Sequence, residues 1–599
     1  MSNKVQILPS DVIAKIAAGE VIERPSSVVK ECMENSLDAG ATTLEVHLKD
    51  AGKQLIHIKD NGSGVSHEDL QNLFQRHATS KIKDIDDLQT LNSLGFRGEA
   101  LFSVGSIADV ILTSQSVNDP MGWQLHVRGG ERQHLEPAAT SGHGTDIKIS
   151  ELFFNTPARK KFLKSNTTEL NQIIDTFLPY TLLHPIVQFK LTHAGRSIID
   201  LKPVKSLKER VARSLNLDEK NLIEVDQGFN ESGIHLRMVL GNINIQRSRR
   251  DLQYFFINSR PIDHRSLGFH VNDIYKLILP PGVYGCFVIF MEIDPSMIDV
   301  NIHPTKREVK IEQEGRLTSL VRNTVEYTLM TKGSMRSVLL SPTTEQSNTI
   351  DFNQSQPLAE STASDQFIYN PAKTQSSFNP ARFFDQSSTA IKAPELLSQE
   401  MDQHLFAKPA ENLRDQFKRS RFIGSFMNKY LLWEADDTLI LVDQHAAQER
   451  IMFEKFKRQI DEGVVEVQHL LTPILLKLTP QEKIAWEESQ SILKEAGIDT
   501  TLFDEDTVAI QTIPTLIKNP EGLLQTLLGG EKAERCSHLT IARRACKASI
   551  VTGDHLNSLQ VDHQRKQLLE CHDPFTCPHG RPTMIEMTVN AIDKHFLRI

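Results

Sequence analysis

No part of this 599-residue chain stays apolar over the roughly 20 residues that a membrane-spanning helix needs. The longest apolar run, 277–291, is broken by Pro280, Pro281, Gly282 and Gly285, so no membrane is expected among the partners. No secretory signal is read at the start of the chain. Cysteine is scarce: the six residues at 32, 286, 536, 546, 571 and 577 are too scattered for a disulfide framework, and a reducing, cytoplasmic location is expected. Positive charge shows no surplus either. The formal net charge is -9 and the pI about 6.2, so any nucleic-acid contact has to come from local basic patches and should be weak and salt-sensitive. No fixed-period repeat occurs, which argues against a solenoid. Both common nucleotide loops are missing as well: there is no Gly-x4-Gly-Lys-Ser/Thr, and His67 stands where a dinucleotide fingerprint needs its third glycine.

What remains is ordinary soluble-protein composition, with 39% hydrophobic and 24% charged residues, in a chain too long for one core. About three or four domains follow from that length. From about Ser341 to Leu413 the sequence turns rich in Ser, Gln, Asn, Thr and Pro and loses hydrophobic periodicity, predicting a mobile tether between two folded halves. Its scattered Phe352, Phe367, Phe378, Phe383 and Phe384 are either short docking motifs or chance hydrophobes.

A helical pattern runs from Asp11 to Leu37, split at Arg24-Pro25. On its second half Glu31 and Asn35 are spaced i,i+4, stacking a carboxylate and an amide one turn apart. A carboxylate orients and deprotonates water, and an amide oxygen is a hard ligand suited to Mg²⁺; alone, such a pair is more often solvated surface. The alternating segment Gln54 to Lys59 predicts a strand ending in Asp60-Asn61-Gly62-Ser63-Gly64, where an acidic residue is placed to accept from a base's exocyclic amine and the glycines permit close backbone approach. Farther on, Arg76-His77-Ala78-Thr79-Ser80-Lys81 and Gly95-Phe96-Arg97-Gly98-Glu99-Ala100 flank a polar stretch of the kind a lid requires, and the second leads into a helical run whose N–H groups suit phosphate.

In the C-terminal half a hairpin is predicted from Lys429–Trp433 and Thr438–Val442. Asp443 then ends a strand, with His445 and Glu449 i,i+4 on the following helix. Cys577 and His579, alternate residues on a segment read as extended, point to one side, and Cys546 adds a soft ligand. Thiols with imidazoles select zinc, whereas carboxylates favour Mn²⁺ or Mg²⁺, and a mixed two-metal site suits phosphodiester hydrolysis.

Glu31-x3-Asn35, Asp60-x-Gly62-x-Gly64, the Gly95-to-Ala100 segment and Gly144-Thr145 resemble the four motifs of the GHKL ATPases. Within that superfamily, Ile16-Ala17-Ala18-Gly19-Glu20-Val21-Ile22-Glu23-Arg24-Pro25, Glu34 to Ala41, Arg76 to Lys81 and Phe153 to Arg159 resemble the MutL mismatch-repair branch. Asp443-Gln444-His445-Ala446-x2-Glu449-x4-Glu454, Ala545-Cys546, Cys577-Pro578-His579-Gly580-Arg581-Pro582 and Phe596-x-Arg598 resemble the signature of its endonuclease-bearing bacterial type. Departures are Ser259, where glycine is common, and Lys547, where arginine is common.

The resemblance implies an α/β (α+β) chain: a GHKL ATPase sandwich over 1–204, a second α/β subdomain over 205–335, a linker over 336–415, and a C-terminal dimerisation and endonuclease domain over 416–599 with an inserted regulatory subdomain near 474–540. It implies that Glu31 activates water, Asn35 holds the Mg²⁺ of ATP and Asp60 recognises adenine. Gly62, Gly64, Thr79, Ser80, Lys81, Gly95, Phe96, Arg97, Gly98, Glu99 and Thr145 would complete the nucleotide site, with Lys306 reaching the γ-phosphate. Asp443 and Glu449 would be catalytic in the nuclease, and Asp443, His445, Glu449, Cys546, Cys577 and His579 would hold Zn²⁺ and/or Mn²⁺. Implied partners are a second copy of the chain, DNA without sequence preference, the mismatch-recognition protein MutS, and a sliding clamp docking on Gln468–Pro473. Arg159, Lys160, Lys161, Lys164, Arg247, Arg249, Arg250, Arg260 and Arg265 are candidates for phosphate contact. An ATP-gated matchmaker with a structural zinc and no nuclease activity is the alternative.

Overall fold

The computed structural model describes residues 19, 21–79, 98–229, 233–299, 309–332, 413–517, 519–529, 537–549 and 556–596. Ser80, Lys81, Gly95, Phe96, Arg97, Lys306 and Arg598 lie outside the described residues, as does the side chain of Cys546. The described residues belong to two compact units, the smaller built from segments within 339–424, 432–441 and 585–599.

Period-two alternation of apolar residues builds the first sheet. Strand β1 (Thr43–Lys49) buries Leu44, Val46 and Leu48 and turns Glu45 and His47 outward. It joins β2 (Leu55–Asp60), β3 (Asp109–Gln115), β4 (Gly122–Arg128), β5 (Glu131–Ala138), β6 (Gly144–Ser150), β7 (Gln188–His193) and β8 (Arg196–Leu201) in the order β5-β4-β3-β6-β2-β1-β7-β8. Four helices pack in the core of this sheet, α1 (Pro25–Asp38), α2 (His67–Asn72), α3 (Ala100–Ile107) and α5 (Asn166–Leu183), while the short α4 (Pro157–Phe162) buries none of its residues. Pro25 opens α1 at its first turn, where its missing N–H costs nothing, so the predicted break falls at a helix start. Val28, Val29, Cys32 and Met33 of α1 pack with Ile173, Ile174 and Phe177 of α5 and with Ile56, Ile58 and Ile147 of the sheet. Full burial of each large side chain is worth about 1.5–3 kcal/mol, which makes this sandwich a rigid platform for α1.

The second sheet follows α6 (Leu207–Ser214) and comprises β9 (Leu222–Phe229), β10 (Ile234–Gly241), β11 (Gln253–Ile257), β12 (Arg260–Ile262) and β13 (Phe287–Glu292), in the order β12-β11-β13-β10-β9. Helix α7 (Arg265–Tyr275) lies between β12 and β13 in sequence, and β11 pairs with β13 in parallel. A short ladder of β14 (Ile298–Asp299) with β15 (Lys310–Ile311) precedes α8 (Glu314–Lys332). Leu267, Val271 and Ile274 of α7 share a core with Leu317, Val321 and Val325 of α8.

In the C-terminal half α9 (Leu413–Arg419) precedes β16 (Arg421–Phe426), and the predicted hairpin appears as β17 (Tyr430–Ala435) and β18 (Thr438–Asp443), turning at Asp436 with φ +44. Helix α10 (Gln444–Asp461) leads to β19 (Val467–Lys477), α11 (Pro480–Glu495), β20 (Asp499–Leu502), β21 (Thr507–Pro514), α12 (Pro520–Leu528), α13 (His538–Ser549) and α14 (Ser558–Glu570), and the chain returns through β22 (Met584–Thr588) and α15 (Val589–His595). The described strands of this half form the sheets β16-β17-β18-β22 and β19-β21-β20. Phe453, Phe456 and Ile460 of α10 share a core with Trp486, Leu493, Ile510, Leu523 and Ile541, which anchors the insert on the helix that carries His445 and Glu449. No described helix is long and apolar enough to cross a membrane.

Candidate functional site

Because Val28, Val29, Cys32 and Met33 point into the core, α1 turns Glu31 and Asn35 toward the half-exposed face one turn apart. Lys30 Nζ lies 3.6 Å from Glu31 and 3.5 Å from Glu34, and the buried Glu34 accepts from the Tyr180 hydroxyl. Asp60 ends β2 with 8% exposure. Its carboxylate accepts from Ser36 Oγ at 2.7 Å and from the Gly62 N–H at 2.9 Å. Burial pushes the Asp60 pKa up, the hydrogen bonds from Ser36, Gly62 and Thr145 pull it down, and the net direction is upward. Thr145 faces Asp60 across the β2–β6 ladder.

The loop after Asp60 is held by side chains that the sequence does not single out. Asn61 Oδ1 accepts from the Thr42 and Thr43 N–H groups at 2.9 and 2.8 Å, and Ser114 Oγ donates to the Gly144 carbonyl at 2.8 Å. At Gly64, φ is +71 and an added Cβ would collide with the Gln115 carbonyl, so this backbone approach requires glycine. Thr79 and Gly98 bound the stretch that is not described. Near them a Cβ on Gly98 would stand 2.6 Å from the Ala78 carbonyl oxygen, and His77 Nδ1 is 3.5 Å from Glu99.

The second cluster is built on α10. Asp443 caps this helix through Oδ1, which accepts from the Ala446 N–H at 2.9 Å, and its own N–H donates to the Thr583 carbonyl at 2.9 Å. His445 Nε2 and His579 Nδ1 each lie 3.3 Å from one oxygen of the buried Glu449. One ligand atom each from Glu449, Cys577 and His579 lies within 4.8 Å of the others. His445 Nδ1 is buried without a hydrogen-bond partner among the described residues. A thiol, an imidazole and a carboxylate within that distance fit a borderline cation such as zinc, with His445 one turn before Glu449 on the same helix. Asp443 stands at the start of the same helix, its Oδ1 engaged in the cap; Cys546 lies on α13.

Cys577 and His579 do not lie on an extended segment. The Cys577 N–H donates to the Arg581 carbonyl at 2.8 Å and the Gly580 N–H to the Cys577 carbonyl at 2.9 Å, closing a turn that Gly580 permits at φ +85. Two further α10 side chains grip the approach to this turn. Glu454 accepts from the His572 and Asp573 N–H groups at 2.6 and 3.2 Å, and Arg450 donates to the Thr576 carbonyl. Their signal was their own i,i+4 spacing within the acidic segment.

Gln468–Pro473 lies on β19, where the register with β21 breaks between His469 and Ile474 and Leu471 is fully exposed. Among the basic candidates, Arg247 is a correction: it is 6% exposed and paired with Glu482 and Asp251, out of reach of a phosphate backbone. Arg250 stacks over Phe269 and Tyr284.

Three family descriptions match the chain: "Histidine kinase-, DNA gyrase B-, and HSP90-like ATPase" over 23–139, "DNA mismatch repair protein, C-terminal domain" over 216–330, and "MutL C terminal dimerisation domain" over 423–556. The chain is 34% identical to a DNA mismatch repair protein MutL of an Exiguobacterium species, covering 99% of each, and 32% identical to a MutL of Clostridium perfringens, covering 100% of each. Among solved structures, the Aquifex aeolicus MutL ATPase domain complexed with ADP is 30% identical over 46% of this chain and 94% of that one, with a TM-score of 0.37. With relatives matched end to end and an ATPase-type domain followed by a dimerisation domain, the chain belongs to the MutL DNA mismatch repair family.

Proposed function

We propose that this protein is an ATP-switched dimeric clamp of mismatch repair whose C-terminal half nicks DNA at a metal centre. The observation that carries the nuclease reading is the convergence of Glu449, Cys577 and His579 within 4.8 Å, from segments more than a hundred residues apart. In the ATPase half, Asp60 accepts from the adenine amine, Glu31 orients and deprotonates water, and Asn35 supplies a hard oxygen for Mg²⁺. Thr79 to Lys81 and Gly95 to Glu99 border the lid over the phosphates, with Thr145 beside Asp60 and Lys306 reaching the terminal phosphate from the second subdomain. In the nuclease half Asp443, His445, Glu449, Cys546, Cys577 and His579 hold Zn²⁺ and/or Mn²⁺, and Asp443 and Glu449 are the catalytic carboxylates. A bound cation supplies Lewis-acid polarisation of the phosphodiester. Homodimerisation through the C-terminal domain, sequence-independent DNA contact, MutS engagement and clamp docking on the exposed Gln468–Pro473 complete the proposal, with domain limits near 204, 335 and 415 and the insert near 474–540.

Burial of Glu449 and of Cys577, 2% exposed, favours a second reading, a closed structural zinc in an ATP-gated matchmaker. Nicking of supercoiled plasmid in Mn²⁺ separates the two. Wild type should nick, and Asp443→Asn, which keeps an N-cap side chain, should lose about 100-fold or more while ATP hydrolysis persists. A wild type that nicks under no divalent cation leaves the matchmaker.

A further inference from the structure

The C-terminal insert docks on both parts of the N-terminal half. Toward the first sheet's subdomain, Glu488 Oε1 accepts from Thr167 Oγ1 at 2.7 Å, Glu487 pairs with Arg196 at 3.3 Å, Gln481 Nε2 donates to Asp175 at 3.0 Å, and Ile484 packs against the sandwich core. Toward the second sheet's subdomain, Lys477 pairs with Asp218 at 2.7 Å, Asn216 Nδ2 donates to the Leu478 carbonyl at 2.8 Å, and Glu482 pairs with Arg247 at 2.5 Å. That last pair is sealed from solvent, with Glu482 1% and Arg247 6% exposed. Glu482 serves twice: its other oxygen accepts from the Thr479 N–H at 2.9 Å, so one carboxylate both starts α11 and seats it.

These contacts straddle a seam. Thr167 and Asp175 belong to α5, which packs against α1, the helix bearing Glu31 and Asn35; Asn216, Asp218 and Arg247 belong to the neighbouring subdomain. An element bonded to both sides resists their relative motion, and an ATPase whose phosphate-sensing lysine comes from the second subdomain needs that motion. We infer that the segment 477–506 is an intramolecular strap whose docking across this seam restrains the two subdomains and slows nucleotide turnover.

The inference rests on the ATPase reading for its effect but not for the docking itself, and the full-length chain tests each separately. Thr167→Cys with Glu488→Cys, treated with a short bismaleimide on an equal mixture of ¹⁴N and ¹⁵N protein, should give the joined peptide within one chain, dependent on both substitutions. No joined peptide, or peptides joined only between differently labelled chains, overturns the docking whatever the ATPase does. Glu487→Arg/Glu488→Arg should raise the ATP turnover number roughly fivefold, the low end of typical coupling between sites, with the melting temperature unchanged. Adding Arg196→Glu, which re-pairs the reversed charge, should bring the rate back toward wild type. Unchanged turnover in the double variant overturns the restraint.

Discussion

Asp60 combines costs that a purely structural residue would shed. Its carboxyl is buried at a strand end and its pKa sits above the ordinary 3.8, so the folded state binds its proton more tightly than the unfolded state. The contribution of this group to stability is therefore fully present below the unfolded pKa and is lost as pH rises through the folded value. Asp60→Asn keeps an oxygen for the Gly62 N–H and an amide toward Ser36 Oγ but carries no charge. Thermal melts from acid to neutral pH should show the variant gaining on wild type across that window and then holding a constant advantage. ATP binding should move the other way, because an amine bonded to a charged acceptor is worth about 1.5–3 kcal/mol, or roughly a 10- to 100-fold loss in titration calorimetry. A variant that binds ATP as well as wild type removes Asp60 from base recognition. Asp60 is legible from its place between an alternating strand and a glycine loop. Ser36 is not, because its hydrogen bond depends on how α1 is rotated over the sheet, and no local spacing encodes that rotation.

At the level of elements, the β11–β12 hairpin shows what a departure from a family pattern costs. Ile257 pairs with Arg260, leaving Asn258 and Ser259 as the two turn residues at φ +45 and +62. Both angles are positive, as a type I′ turn demands, and serine at the second position crowds its Cβ against the backbone. Ser259→Gly should therefore stabilise the chain by about 0.5–1 kcal/mol, seen as a rise in the melting temperature of the transition that includes the second sheet, with ATP turnover unchanged. A fall in that temperature would mean that the turn is held by contacts the substitution removes. The same physics separates readable elements from unreadable ones. Helix α1 and the β17–β18 hairpin are announced by local chemistry, a proline at a helix start and an acidic turn between alternating strands. The Cys577–Gly580 turn depends on a hydrogen bond to Arg581 and on the grip of Arg450 and Glu454, so an alternating pattern reads as extended where the chain folds back.

At the scale of the whole molecule, residue chemistry names donors and acceptors but not their partners across hundreds of positions. The α/β class and the families matched along the chain agree with the sequence reading. Arg247 does not, since a lone arginine looks like a surface cation until Glu482, 235 positions away, is brought beside it. The candidate sites also rest on different cores: α1 and Asp60 belong to the sandwich core, whereas α10 packs with the insert through Phe453, Phe456 and Ile460. A ligand that binds only the folded state stabilises the unit that holds it, by about 2.7 kcal/mol at a hundredfold excess over its dissociation constant. Calorimetry at about 0.5 M salt, which screens exposed pairs such as Arg196–Glu487 and Lys477–Asp218, should then resolve two transitions. A non-hydrolysable ATP analogue with Mg²⁺ should raise one of them, and zinc removal by a chelator should lower the other. Cys577→Ser should reproduce the chelator's effect and abolish any further response to it, because the chelator then has no cation to take. If chelation leaves both transitions in place while Cys577→Ser still lowers one, the thiol is a packing group and Glu449, Cys577 and His579 hold no metal.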